Sequence, residues 1–376
     1  MAGIYIHVPF CKTRCIYCDF YSQTNTEIKS RYINAVCDEL ELRKMYLNKE
    51  YIKTIYFGGG TPSQLTESDF RIIFETIYSN YKVDSNAEIT IETNPDDLNF
   101  EYIKMLRGLP FNRLSLGIQS FDDDDLTFLN RRHSAEKAIR AIKDCQQAGF
   151  DNISIDLMYG LPEQTVELWT KNIEKAIELN VQHISAYHLI YEENTPIYNL
   201  LKKGDIKNVS EEVSNQLFTT LKTKLEDAGF IHYEISNFAK PDFESKHNSS
   251  YWKSVPYMGI GPSAHSYNGK SRSWNIASIA EYIKGVEGKQ PVSEEEILDI
   301  NSRYNDYILT RLRTVLGADA EEIRNLFGQK MLEYFLLNAR KHIDNGYIIK
   351  EHNNLRIASV GLLISDGIMS DLMYID

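Results

Sequence analysis

The chain has 376 residues, 43% hydrophobic and 25% charged, a balance that fits a water-facing folded protein with a sizeable core. Its 53 acidic against 41 basic side chains give a formal charge of −12, which argues against a nucleic-acid partner held by phosphate neutralisation. No apolar run approaches the roughly 18 residues needed to cross a bilayer, and the opening Met1-Ala-Gly-Ile-Tyr-Ile-His-Val-Pro9 lacks the basic stretch of a secretory signal. A cytoplasmic location is expected, and an odd count of five cysteines without framework spacing fits reduced thiols.

In chain order, residues 4–8, 53–57, 88–92, 113–118, 152–157 and 183–189 read as strands, each ending at a loop with Gly, Pro or a polar residue. Amphipathic stretches at 30–46, 67–80, 134–148 and 164–179 read as the helices between them. This alternation predicts an α/β architecture over residues 1–200, a partial (β/α)6 barrel of parallel strands joined by right-handed crossovers. Cys37 and Cys145 fall in helical patterns, where a small buried apolar residue is expected.

Beyond residue 200 the rhythm breaks. A helix at 209–228 leads into Tyr233-Glu-Ile-Ser-Asn-Phe238 and then an irregular loop, rich in Asn, Ser, Gly and aromatics, to about 275. Residues 201–290 are read as a mixed region extending the barrel. A helix from 293 through 313, two more near 319–327 and 329–343, a hairpin at 347–357 turning on Asn353-Asn354, and a last helix from 359 give 291–376 a winged-helix-like α+β character. The acidic balance favours a protein or small-molecule role for that module over DNA reading.

Three of the five cysteines fall together as Cys11-x3-Cys15-x2-Cys18, directly after the first expected strand. Structural zinc takes four ligands, whereas a [4Fe-4S] cluster held by three cysteines leaves one iron open for a small chelating molecule. Gly58-Gly-Gly-Thr-Pro62 follows the second strand, Glu92 ends the third, Gln119 follows the fourth and Asp156 lies in the fifth. All of them mark the C-terminal rim of the strands, where barrel active sites are built.

With Tyr5-Ile-His-Val-Pro-Phe-Cys11, Glu92-Thr-Asn-Pro95, Ser115-Leu-Gly-Ile-Gln119, Leu129-Asn-Arg131-Arg-His133 and Asp156-Leu-Met-Tyr-Gly-Leu-Pro162, these motifs make the chain resemble the radical S-adenosylmethionine family of oxygen-independent coproporphyrinogen III oxidases and their HemW relatives. The resemblance implies a radical SAM barrel in which Cys11, Cys15 and Cys18 hold the [4Fe-4S] cluster. It also implies that Tyr5, Tyr17, Gly59, Gly60, Thr61, Glu92, Gln119, Arg131 and Asp156 line a site for S-adenosylmethionine. The chemistry agrees: Glu92 can take a charge-assisted bond from the α-amine, Asp156 can accept from both ribose hydroxyls, and Arg131 can pair with a carboxylate.

Within that resemblance the chain departs from the oxidases, which carry a further cysteine where Phe20 stands and an extension ahead of the cluster loop for which Cys11 leaves no room. His247-Asn-Ser-Ser-Tyr251-Trp252 matches instead the HNxxYW signature of the HemW haem chaperones, which implies haem held through His247 as axial metal ligand, flanked by Tyr251 and Trp252. His265 and His7 are secondary candidates, near the cofactor cavity and the cluster respectively. The implied partners are haem, apo-haemoproteins of the respiratory chain, and an electron donor such as a flavodoxin or ferredoxin, with peripheral membrane contact and no nucleic acid. Two alternatives stay open: an oxygen-independent coproporphyrinogen III oxidase, and a degenerate barrel acting only as a scaffold.

Overall fold

The computed structural model describes residues 1–375. Six parallel strands, β1 (Ala2–Val8), β2 (Ile52–Gly59), β3 (Val83–Thr93), β4 (Arg113–Gln119), β5 (Ile153–Tyr159) and β6 (His183–His188), lie side by side in chain order. Between them run α1 (Lys29–Leu42), α2 (Glu67–Asn80), α3 (Phe100–Arg107), α4 (Asp123–Phe128), α5 (Ala135–Gln147) and α6 (Val166–Glu178). The expected partial barrel is present. Helices α3 and α4 were not expected, because eight and six residues carry too few turns for a periodic pattern. Each is announced only by its capping side chain, Asn99 or Asp122.

Parallel strands covered on both faces usually read as continuous apolar runs, yet here they alternate. Ile4, Ile6, Val8, Ile55, Phe57, Leu114, Leu116, Ile153 and Ile155 face the helices in one large core. Their neighbours Tyr5, His7, Thr54, Tyr56, Glu88, Glu92, Arg113, Ser115, Ser154, Asp156, His183 and Ser185 turn the other way, and the barrel interior is therefore a polar column.

Beyond β6 come α7 (Pro196–Lys203), α8 (Glu211–Asp227), β7 (Ile231–Glu234), β8 (Asn237–Ala239) and α9 (Lys246–Trp252). Then follow β9 (Tyr257–Ile260), β10 (His265–Tyr267), β11 (Ser271–Asn275), α10 (Ile279–Glu287) and β12 (Ser293–Ile297). Strand β8 pairs antiparallel with β6, and β9 pairs parallel with β1, so the sheet grows to twelve strands in the order β12-β11-β10-β9-β1-β2-β3-β4-β5-β6-β8-β7. The segment expected as an irregular loop thus holds a helix and three strands of three to five residues, too short and too rich in Gly and Ser for a hydrophobic signal. Leu217, Leu221, Phe238, Ile260 and Ile283 join the barrel's own core, which makes this region an extension of it.

The expected helix from residue 293 begins later. Ser293–Ile297 is instead edge strand β12, where Glu296 accepts from Arg272 at 2.8 Å, and α11 (Ile300–Leu312) starts after Asp299 caps the Ser302 amide. The remainder, β13 (Ala318–Asp319), α12 (Ala320–Phe327), α13 (Gln329–Asp344), β14 (Ile348–Glu351), β15 (Asn354–Ile357) and α14 (Ser365–Leu372), forms a three-stranded sheet and helices around a separate core that includes Tyr304, Ile308, Phe335, Leu355 and Leu372. The hairpin turns on His352-Asn353, with His352 at φ +57°, one residue earlier than expected. No helix among the described residues is long and apolar enough to cross a membrane.

Helix α9 lies under the N-terminal halves of the first strands and floors the barrel. The Glu88 carboxylate accepts from the Lys246 and His247 amides at 3.1 and 2.9 Å, so a strand side chain caps the helix. Gly3 leaves the necessary space: a Cβ there would come within 2.7 Å of Thr54 Oγ1 and 3.4 Å of the His247 ring. Replacing Glu88 by Ala strands those buried amides and is expected to cost about 2 kcal/mol. Urea denaturation checks this, and an unchanged midpoint would show that the carboxylate does not hold the floor.

Candidate cluster and cofactor site

At the C-terminal ends of the strands a cavity of about 440 Å³ opens, within the range of small-molecule sites. Its walls include Cys11, Cys15, Cys18, Tyr17, Gly59, Gly60, Thr61, Glu92, Gln119, Arg131 and Asp156. The fold thus brings together the three cysteines and, of the residues implied to line the cofactor site, all but Tyr5. Tyr5 lies beneath the cavity, stacked on Tyr56 at 6.1 Å, and His247 lies at the opposite end of the barrel.

The cysteine loop leaves β1 and is tied back by the Cys11 amide to the Gln23 carbonyl and the Gln23 amide to the Pro9 carbonyl. Cys11 is buried; Cys15 and Cys18 are half-buried. Thr61 donates to Cys11 Sγ at 3.4 Å and Arg131 to Cys15 Sγ at 3.2 Å. Burial, reinforced by the neighbouring Cys15 and Cys11, pushes the Cys18 thiol up to about 11, so metal loading must displace its proton. Among the described residues no three His, Cys, Asp or Glu side chains converge as ligands of a single ion do. Three cysteines are the number that hold a [4Fe-4S] cluster with one iron left open, whereas structural zinc takes four ligands.

Asp97 locks this loop to its neighbours, a role the sequence reading missed. Its buried carboxylate accepts from Lys12 at 2.6 Å, Ser63 at 2.8 Å, Gln64 at 2.7 Å and Arg132 at 3.4 Å, joining the cysteine loop to the Gly-rich loop. Asn94 likewise bridges Thr61 and Arg131. The only signal was the cluster of polar residues after Glu92, which a turn explains equally well.

The Gly-rich run is required by what lies beneath it. A Cβ on Gly59, at φ +104°, would come within 2.7 Å of the His7 ring, and one on Gly60 within 2.9 Å of the Val8 and Phe10 carbonyls. His7 Nε2 donates to the Tyr21 carbonyl at 2.9 Å, which leaves Nδ1 to accept from Tyr5 at 3.2 Å. His7 therefore supports the Gly59 backbone and does not face the cluster. Across the cavity, β4 bulges at Gln119, which sits at φ +68°, a costly conformation for a non-glycine residue and one concentrated at functional sites.

Glu92 and Asp156 face the cavity, and among the described residues neither has an ion-pair partner. Glu92 accepts from Tyr56 at 2.8 Å and from the Gly59 amide at 3.2 Å, yet burial, with help from Asp156, raises it to about 7. Asp156 accepts from Ser115 at 3.5 Å, and burial raises it to about 6. Their free oxygens can take an ammonium and a pair of hydroxyls. Arg131, held by the Gly117 carbonyl at 2.6 Å, can take a carboxylate.

His247 is not the exposed loop histidine that was expected. It is 2% exposed on α9, bonded through Nδ1 to Thr54 at 2.8 Å and through Nε2 to Tyr251 at 2.7 Å, and stacked on Tyr56 at 5.0 Å. Both nitrogens are engaged, so this conformation offers none to an iron. Burial, with the Arg113 cation, lowers its pKa to about 3 and keeps the ring neutral. The helix escaped the sequence reading because a loop-like composition concealed the His-x3-Tyr spacing of one helix turn. His265 does not line the cavity either; it lies on β10 near Trp274.

If Glu92 takes the ammonium and Asp156 the ribose hydroxyls of S-adenosylmethionine, binding needs both carboxylates ionised. The ligand's α-amine, with an ordinary value near 8, is already charged below pH 7. Affinity is therefore expected to fall as Glu92 protonates, by up to about tenfold between pH 7 and 6, and more steeply below 6 as Asp156 follows. Calorimetric titration of anaerobically reconstituted protein across this window checks it; a flat profile would show that neither carboxylate holds the ligand.

Residues 5–176 match the family model of the radical SAM superfamily. The chain is 32% identical over 371 residues to the haem chaperone HemW of Bacillus subtilis, covering 98% of each chain. It is 36% identical over 359 residues to HemW of Buchnera aphidicola, covering 92% of this chain and 91% of that one. Among solved structures it shares the fold of the radical SAM enzyme HemN, the coproporphyrinogen III oxidase of Escherichia coli, with a TM-score of 0.85 and 21% identity over 99% of this chain and 90% of that one. The cysteine loop, the carboxylate-lined mouth and the near full-length likeness lead to one conclusion: the chain belongs to the radical SAM superfamily, in the family of HemW haem chaperones.

Proposed function

We propose that this chain binds haem and transfers it to apo-haemoproteins, such as respiratory-chain enzymes, while carrying a [4Fe-4S] cluster and S-adenosylmethionine at the barrel mouth. The observation that carries this reading is the likeness to the HemW haem chaperones over almost the whole of both chains. Cys11, Cys15 and Cys18 would hold the cluster, and Glu92, Asp156, Arg131, Thr61 and the Gly59-Gly60 backbone would hold the cofactor. When bound, the pair supplies one-electron chemistry, for which a flavodoxin or ferredoxin would be the donor. The protein would work in the cytoplasm and meet membrane-bound recipients by peripheral contact.

The mouth supports a flat apolar ligand. Phe20, 61% exposed where the oxidases carry a further cysteine, joins Tyr187, Leu189 and Ile190 on the cavity rim. Axial ligation by His247, as the HNxxYW signature suggests, carries a condition. Helix α9 must leave the floor, breaking the bonds to Thr54 and the Glu88 cap, and Tyr251 and Trp252 would move with it.

Anaerobically reconstituted protein is expected to develop a Soret band with haem and to pass that haem to an apo-cytochrome. It is expected to leave coproporphyrinogen III unchanged. A band weakened severalfold in His247→Ala assigns ligation to that residue, whereas one weakened in Phe20→Ser with Ile190→Ser assigns the haem to the mouth. Absence of haem binding, or robust conversion of coproporphyrinogen III, would overturn the proposal.

A further inference from the structure

One charge in the barrel interior touches neither the cavity nor the floor. Arg113 opens β4 with its side chain turned inward and 2% exposed. Among the described residues its guanidinium makes no hydrogen bond and no ion pair, and Nε is buried without a partner. Thr90, its register partner on β3, is also fully buried with an orphaned hydroxyl. An unpaired cation withdrawn from water costs several kcal/mol as a class, so its retention calls for a compensating interaction.

The register supplies one. Residues two apart on a strand share a face and stand about 6.6 Å apart along it. Glu92 lies two residues beyond Thr90 on β3, and Ser115 lies two residues beyond Arg113 on β4, where it donates to Asp156 at 3.5 Å. Asp156 pairs with Gly117, so Arg113 stands one layer below Glu92 and two below Asp156, on the side away from the mouth.

We propose that Arg113 is a positioning residue for cofactor binding, an internal counter-charge that lowers the cost of ionising Glu92 and Asp156 while leaving their oxygens free for the ammonium and ribose hydroxyls of S-adenosylmethionine. The inference rests on the reading that this mouth takes that cofactor. A cation in direct contact would occupy the lone pairs the ligand needs. A cation one or two layers away acts through its field alone, and in a desolvated interior that field remains strong.

The surrounding groups agree with this placement. From β2, β3 and β5, Tyr56, Glu92 and Asp156 are each drawn toward their anionic forms by Arg113, and so is Tyr233 from β7. His183 and His247, on β6 and α9, are held neutral partly by the same cation. Glu88 faces the same interior but is engaged by the α9 amides. Asp156 also feels Arg131 from the cavity side, whereas Arg113 is the cation acting on Glu92, which makes Glu92 the more dependent of the two.

The test is the affinity for S-adenosylmethionine of the full, anaerobically reconstituted chain between about pH 6 and 9, for wild type, Arg113→Gln and Arg113→Lys. Taking the ratio of variant to wild-type affinity at each pH cancels the titration of the ligand's own amine. Arg113→Gln is expected to bind about tenfold more weakly near pH 7 and to recover to within about twofold near pH 9, the result of an upward shift of about one unit in the carboxylates. Arg113→Lys keeps the charge and is expected to follow the wild-type profile, which also covers the case in which Arg113→Gln fails to retain its cluster. A ratio that does not change with pH, or a Lys variant displaced from wild type, would overturn the counter-charge role while leaving the cofactor site intact. A wild-type chain that binds no S-adenosylmethionine would overturn both.

Discussion

Two carboxylates lie buried in the barrel with no cation in contact among the described residues, and much of the structure follows from keeping them there. Glu92 and Asp156 leave water for a site where the charged form is disfavoured, to about 7 and about 6. Their unfolded values lie near 4. Because both are raised on folding, the stability each contributes is complete below about pH 4 and is lost as pH rises through 6 and 7. The unliganded barrel is therefore less stable at neutral pH than its packing alone would make it. A ligand that carries an ammonium and a pair of hydroxyls returns that loss as binding energy. Tyr56, the Gly59 amide, Ser115 and the distant Arg113 reduce the penalty without filling the lone pairs.

This polar interior also explains the alternation of strands that parallel topology would normally make uniformly apolar. With one face committed to charge and hydroxyl, the helices cover only the other, and the open end of the column has to be closed. Helix α9 closes it with the segment that carries the HNxxYW signature. His247 is stacked on Tyr56, and Tyr56 donates to Glu92, so the floor and the cofactor site share a side chain.

The barrel was legible because its signals are local. Six apolar strand runs, the α2 boundaries and the rim motifs all lie within short windows, and Cys11 to Cys18, Thr61, Glu92, Gln119, Arg131 and Asp156 do meet in one cavity. What escaped depends on distant pairing. Strands β9 to β12 are short and add outward from the edge of β1, a pairing that no window around residue 260 reveals. Glu294-Glu-Glu296 resembles the first turn of a helix until Arg272 is placed beside it. Asp97 looks like a turn residue, Arg113 like a strand-edge charge, and His247 like a free ligand; in each case the partner or its absence is set by residues far along the chain.

The likeness to HemN shows a shared fold, while the relatives that place this chain in its family are haem chaperones. The account turns on buried carboxylates that ionise when the cofactor arrives, and the most direct measurement is the number of protons released on binding. Calorimetric titration of reconstituted protein with S-adenosylmethionine at about pH 6.5, in two buffers of different ionisation enthalpy, counts them. With Glu92 near 7 and Asp156 near 6, about one proton per chain should be released. No release, or net uptake, would contradict the account.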